Sequence, residues 1–237
     1  MITIRQVENA RKIKSDINNL RKESEATNYL FTELEKQKNY MLMGGAVRDL
    51  LFNRKPRDYD IVVEAEELTL NLPNVKRNSF GGLKVVIDHN EFDIWCLKDT
   101  WALKRMRVNA SKENLQNSCF FNLDSVIYDA KNEEFLFRHF MDGINSKELD
   151  IVYEDNPYPS VCVVRAFVLQ EKWEMQFSQR LSRYIRSWVM NEENPIQELI
   201  KAQLKHYKEI KFDYEVLNYK LKAIDGDLLE KEINMFA

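Results

Sequence analysis

The sequence is poor in the residues that most often build a reactive or metal-binding centre. Its three histidines, His89, His139 and His206, are scattered, and no chemistry is assigned to them. Its three cysteines, Cys96, Cys119 and Cys162, lie far apart without the paired spacing of a zinc site. Their odd number and apolar neighbours predict buried free thiols in a reducing cytosol. No apolar run approaches the length of a membrane span, and charge alternates from Arg5 onward, unlike a signal peptide. The expectation is a cytoplasmic protein with no membrane partner. An excess of positive charge is also missing. The 35 Lys and Arg are outnumbered by 38 Asp and Glu, giving a net charge of -3, so any nucleic-acid contact needs a local basic patch. Internal repeats and low-complexity stretches are absent, and nothing in the sequence sets an oligomeric state.

What is present is ample material for a core. The 237 residues are 44% hydrophobic and 11% aromatic, enough for one large domain or two small ones. Residues 4 to about 38 read as helix, with Val7, Ile13, Ile17, Leu20, Leu30 and Leu34 forming an apolar stripe and Asn28 a candidate break. The stretch 41–63 then packs several signals together. A short apolar strand from Tyr40 to Met43 leads to a Gly44-Gly45 turn, a helix from Ala46 to Phe52, a Pro56 loop, and a second strand ending at Val63.

That second strand carries Asp58 and Asp60, one residue apart, so both carboxylates lie on one face. Two carboxylates this close repel unless a cation lies between them, and oxygen ligands suit Mg²⁺ (or Mn²⁺). Glycines at a helix start let backbone N–H groups approach phosphate oxygens. Gly44, Gly45, Asp58 and Asp60 in this order thus suit phosphoryl or nucleotidyl transfer from a triphosphate. Arg48 can reach a phosphate, or can pair with Asp49, Asp58 or Asp60 as a strut.

Gly44-Gly45-Ala46-Val47-Arg48-Asp49-Leu50-Leu51 followed by Pro56-Arg57-Asp58-Tyr59-Asp60-Ile61 resembles the head-domain signature of poly(A) polymerases and tRNA CCA-adding enzymes. These belong to the DNA-polymerase-beta-like nucleotidyltransferase superfamily. The resemblance is dense over about twenty residues and fades after roughly residue 170. It implies an α+β fold, a mixed sheet flanked by helices; Pro157, Pro159 and the switch from period-2 to period-3.6 patterning place this head over residues 1–155 and an all-helical, neck-like unit over 156–237.

Further along, Glu64 to Leu72 reads as a short helix stopped by Pro73. Leu83 to Ile87 and Glu91 to Cys96 read as a hairpin around Asp88-His89-Asn90. The return strand carries Asp93, to which the resemblance gives the third carboxylate of a catalytic triad; on the residues alone it can be a solvent-facing acid on an edge strand. Glu91 is a lesser candidate for the same role. From Lys98 to Lys112 basic residues alternate with apolar ones, which suits phosphates or a solvated face. Asn122 stands where the family has the Asn of its Arg-Arg-Asp-Phe-x-x-Asn-Ala segment, but Gln116-Asn117-Ser118 replaces Arg-Arg-Asp. Arg105 and Arg107 can supply the missing charge. Val164-Arg165-Ala166-Phe167 is similar to the start of the family's neck helix, keeping Arg165 while Cys162 and Val168 replace two arginines.

Residues 135–140 read as a strand and Asp142-Gly143 as a turn; helices are expected over 161–172, 177–190, 196–210 and 212–221, with a short helix or tail over 225–232. Arg180, Arg183, Arg186, Lys201, Lys205 and Lys208 form solvated helix faces or an RNA contact.

The resemblance therefore implies a metal-dependent nucleotidyltransferase that moves NMP from an NTP to a hydroxyl, with an RNA 3′ end as the family's acceptor. Asp58, Asp60 and Asp93 would be catalytic and metal-binding; Gly44, Gly45, Arg48, Arg105, Asn122 and Arg165 would bind the nucleotide. Nucleotidylation of a protein, synthesis of a small nucleotide, a non-catalytic nucleotide- or RNA-binding module, and a protein-interaction scaffold are the alternatives.

Overall fold

The computed structural model describes residues 2–70, 72, 75–78 and 80–235, with side-chain surroundings between residues 8 and 224. Two compact units emerge: Met1–Cys119 with Leu123–Met141, and Phe120–Asn122 with Asp142–Ala237. The division at 141/142 precedes the expected 155. The reason is a set of short pairings: residues 148–149 join a two-stranded sheet with 176–177, and Phe121 bridges Ile151.

In the first unit, α1 (Ile2–Glu23) and α2 (Glu25–Glu35) come first. The break falls at Ser24, four residues before the expected Asn28, because the Ser24 side chain accepts from the Thr27 N–H at 3.1 Å and caps α2. There follow β1 (Tyr40–Met43), α3 (Gly45–Leu51), β2 (Asp58–Val63), β3 (Lys76–Arg77), β4 (Leu83–Ile87), β5 (Asn90–Cys96), α4 (Trp101–Met106), α5 (Lys112–Gln116), β6 (Ile127–Asp129) and β7 (Glu134–Leu136). The expected helix over 64–72 is not formed: residues 64–70 carry no helix, while Pro73 lies outside the described residues. Nor does a strand continue to Phe140. Residues Arg138–Ser146 form a helix, α6, in which buried Phe140 packs edge-on against Phe52 at 6.5 Å. The alternation that suggested a strand ends at Phe137, and Gly143 sits inside the helix rather than in a turn.

Seven strands form one mixed sheet in the order β3-β4-β5-β2-β1-β6-β7. Only β2 and β5 run parallel; the other neighbours are antiparallel. Alternation sorts its residues into two faces. Tyr59, Ile61, Phe92 and Ile94 occupy one, where Phe31 of α2 meets the Phe92 ring edge-on at 6.2 Å and Tyr59 stacks on Phe92 at 5.1 Å. The other face is apolar at one end, where Met41, Met43, Val62 and Ile127 pack with Leu97, Leu103, Leu115 and Cys119. The acids of β2 and β5 occupy its other end.

The second unit holds β8 (Glu148–Leu149), α7 (Pro159–Trp173), β9 (Gln176–Phe177), α8 (Gln179–Asn191), α9 (Pro195–Tyr207) and α10 (Tyr214–Met235). The parallel β8–β9 pair makes this unit almost, but not wholly, helical. Phe167 packs against Phe177 and Phe212 at 5.8 and 6.3 Å. Buried Gln203 closes the α9–α10 connection: its Nε2 donates to Phe212 O at 3.0 Å, and its Oε1 accepts from the N–H groups of Lys211 and Phe212. The backbone over 225–232, expected as a short helix or tail, continues α10. Cys96, Cys119 and Cys162 are all buried free thiols. Among the described residues no helix is long and apolar enough to cross a membrane.

One buried acid fixes the β6–β7 turn. Asp129 accepts from Asn39 Nδ2 (2.9 Å), Asn132 Nδ2 (2.9 Å) and the N–H groups of Lys131 and Asn132 (both 3.1 Å), and pairs with Lys112. Burial pushes its carboxyl up, but the bonds from Lys112, Asn132 and Asn39 outweigh this and hold it below the usual carboxylate range. Its contribution is therefore present above the ordinary Asp value of about 4 and is lost as pH falls through the lower folded-state value. Asp129→Ala should cost about 3 kcal/mol at pH 7 by urea denaturation. The gap between variant and wild type should shrink when the titration is repeated at pH 3.

Candidate active site

Strand register decides which acids meet. In the parallel β2–β5 pair, Asp60 lies opposite Asp93 and Asp58 opposite Glu91. Paired residues of neighbouring strands project to the same face, so four carboxylates share one end of the sheet face. Their chain positions follow from local chemistry. The β4–β5 hairpin turns on Asp88 and His89 alone, both with positive φ (46° and 68°), and this two-residue loop sets Ile87 opposite Asn90.

Gly44 stands next to this face. Its φ of 67° and ψ of -138° suit glycine, and a Cβ added there would lie 3.6 Å from Asp60 Oδ2. Its own N–H donates to Val126 O at 2.9 Å. Its contribution is therefore an open approach to Asp60. Gly45 begins α3 and faces Arg48: a Cβ there would lie 3.2 Å from Arg48 Nη2.

Arg48 is a strut. It is 6% exposed; its Nε donates to Asp49 Oδ1 at 3.0 Å and its Nη1 to Asp124 Oδ1 at 2.5 Å, both acids themselves buried. The Asp49 partnership is one the sequence offered; Asp124 is one it missed. A guanidinium between two buried carboxylates ties α3 to the segment before β6 and fixes the turn that carries Gly44.

The surface acids are half-buried and face cations of the protein itself. Asp58 accepts from Arg57 Nη2 at 2.7 Å and Nε at 3.2 Å. Lys84, opposite Asp93 on β4, lies 2.5 Å from Glu91 Oε2 and 3.7 Å from Asp93 Oδ2. Burial pushes the Asp93 carboxyl above its ordinary value; the Lys84 ammonium and a hydrogen bond from Asn78 pull the other way without cancelling it. Lys84 is raised in turn, chiefly by its bond to Glu91. Oxygen donors on one face suit a hard divalent ion. Among the described residues, though, no three acid, Cys or His side chains converge on a single point, since Asp58 and Asp93 are turned toward Arg57 and Lys84.

Arg105 is exposed on α4 of the same unit. The replaced segment closes on itself: Gln116 Nε2 donates to Ser125 O, Ser125 Oγ to Gln116 O, and Asn117 Oδ1 contacts His139 Nε2. Asn122 and Arg165 belong to the second unit. The Asn122 amide is committed to backbone, donating to Glu148 O at 2.8 Å and accepting from Asp150 N at 3.1 Å. It packs so closely on Gly143 that a Cβ there would come within 2.5 Å of its Nδ2. Arg165 lies over the Phe121 ring at 5.7 Å. The six basic residues of α8, α9 and the residue after α9 are exposed.

Residues 40–136 match the family model of the Poly A polymerase head domain. The fold matches a CCA-adding enzyme solved with CTP at a TM-score of 0.61 and 17% identity, over 88% of this chain and 54% of that one. It also matches a tRNA nucleotidyltransferase solved with a primer tRNA and an incoming ATP analog (TM-score 0.55, 18% identity, 78% of this chain and 57% of that one). A third match is the Thermotoga maritima CCA-adding enzyme complexed with tRNA (0.55, 17%, 79% and 47%). At these identities the likeness establishes the fold. The chain spans about half the length of the solved structures it matches. No curated protein matches the sequence.

Removing the strut and removing a surface cation should differ sharply. Arg48→Met leaves Asp49 and Asp124 buried without their guanidinium and should cost roughly 3–5 kcal/mol. Arg57→Met removes an exposed pair and should change stability by about 1 kcal/mol or less. Chemical denaturation of the two variants side by side checks this.

Proposed function

We propose that this protein is a metal-dependent nucleotidyltransferase that moves NMP from an NTP onto an acceptor hydroxyl, an RNA 3′ end by preference. One observation carries the reading: Asp58, Asp60 and Asp93 share a half-exposed sheet face beside Gly44, within a segment that matches the head-domain family. The solved relatives bound to CTP, to an ATP analog and to tRNA support NTP and RNA as partners.

Asp58, Asp60 and Asp93 are the residues that would hold Mg²⁺ or Mn²⁺, with Glu91 within reach of the same face. When bound there, such an ion neutralises triphosphate charge and makes a hydroxyl more acidic. The protein's own part is placement. Gly44 leaves space beside Asp60 for a phosphate, and Gly45 starts the helix behind it. Arg48 and Asn122, expected at the nucleotide, act at one remove: Arg48 holds the Gly44 turn, and Asn122 holds the 148–150 backbone. Exposed Arg105 is a side chain of the first unit suited to a phosphate, and Arg165 in the second unit lies over the Phe121 ring. Buried free thiols agree with a reducing, cytoplasmic setting.

The self-closed segment at Gln116-Asn117-Ser118 favours a second reading of the acceptor, a protein or small-molecule hydroxyl with the same chemistry. Incubation with labelled NTPs, Mg²⁺ and total RNA should place label in RNA and release pyrophosphate. Label in protein or in a small product would select the second reading, and no transfer to any acceptor would leave only a binding module. Asp58→Ala and Asp60→Ala should lower transfer by roughly a thousandfold or more. Because Asp58 and Asp60 share their face with Asp93 and Glu91, and the Arg57 pair of Asp58 is exposed and weak, the variants should melt no lower than wild type in the absence of divalent ions. Full activity in either variant would remove these acids from the site.

A further inference from the structure

Lys84 is a cation built into the acid face. It projects from β4 with Asp93 directly across the antiparallel pair and Glu91 diagonal to it. Its ammonium lies 2.5 Å from Glu91 and 3.7 Å from Asp93, and it is the Asp93-facing member of a pair of basic groups, Arg57 being the other, that flank the carboxylates. A part-exposed lysine on a sheet strand could be a solvated residue with no function. This one is 41% exposed at its side chain, yet its ammonium lies against two acids of the candidate site face. A divalent ion at this face needs the Asp93 oxygens that Lys84 faces.

We propose that Lys84 is a tethered counter-ion that competes with the divalent cation for Asp93 and Glu91, keeping the acid face neutralised until the metal arrives. The inference rests on the metal-site reading of Asp58, Asp60 and Asp93. It adds that metal affinity in the absence of nucleotide is deliberately weak, because loading must displace an ammonium already in place. Mutual repulsion among Asp58, Asp60, Asp93 and Glu91 is what the ammonium relieves in the meantime. Lys84 is thus a positioning residue, acting through the carboxylates it holds.

The test is Mn²⁺ binding to the full chain without nucleotide, read from the electron paramagnetic resonance signal of free Mn²⁺. Lys84→Met should tighten Mn²⁺ about tenfold, the equivalent of about 1.4 kcal/mol for one partly screened neighbouring charge. Lys84→Arg, which keeps the charge, should bind Mn²⁺ as wild type does. In chelator, Lys84→Met should melt below wild type, and saturating Mn²⁺ should close that gap; Lys84→Gln serves the same comparison if the methionine variant folds poorly. Equal or weaker Mn²⁺ affinity in Lys84→Met, or a melting deficit that Mn²⁺ leaves unchanged, would make Lys84 a structural residue and overturn the proposal. If neither wild type nor variant binds Mn²⁺, the metal-site reading fails and takes this inference with it. Binding by both with equal affinity sinks the inference alone.

Discussion

The parallel register between β2 and β5 is the constraint on which the candidate site depends. It places Asp60 opposite Asp93 and Asp58 opposite Glu91, and a slip of one residue would turn Asp93 to the face occupied by Phe31 and Tyr59. The apolar alternation of both strands prevents that slip. Tyr59, Ile61, Phe92 and Ile94 must all face the helix-covered side, so the acids between them must face the other. Burial of one face thus positions the chemistry of its reverse.

The electrostatics of the unit divide by depth. Arg48 between Asp49 and Asp124 is a buried pair, and Lys112, itself partly exposed, meets the buried and hydrogen-bonded Asp129; these fix the Gly44 turn and the β6–β7 turn. At the surface, Arg57 and Lys84 face acids that are only half-covered, where water and salt weaken each pair. Strong pairs hold the scaffold, and weak pairs lie at the candidate site.

Much of this was legible in the chain. The strands carrying Asp58, Asp60 and Asp93 follow from alternation and turn residues, and Gly44 from the dense motif. The partners were not. Asp124 is distant in sequence from Arg48, and no local pattern links them; only tertiary packing does. Lys84 was within reach. A two-residue loop at Asp88-His89 sets it opposite Asp93, whereas the three-residue loop through Asn90 that the sequence suggested moves it one place out of register. Asn122 and Arg48 carried motif roles whose side chains the structure uses to bind backbone and acids. The helix misread at 64–72 and the strand misread at 137–140 are short segments, where a few apolar residues fit either period.

The tight hairpin of β4 and β5 bears on how the sheet assembles. A loop this short closes in microseconds, whereas parallel pairing of β2 with β5 must bridge the chain between them and comes later. Asp93 can therefore meet Lys84 within its own hairpin before it approaches Asp58 and Asp60. The acid that would repel the incoming strand can thus meet it with a lysine already opposite, so the short hairpin bears on assembly as well as on register.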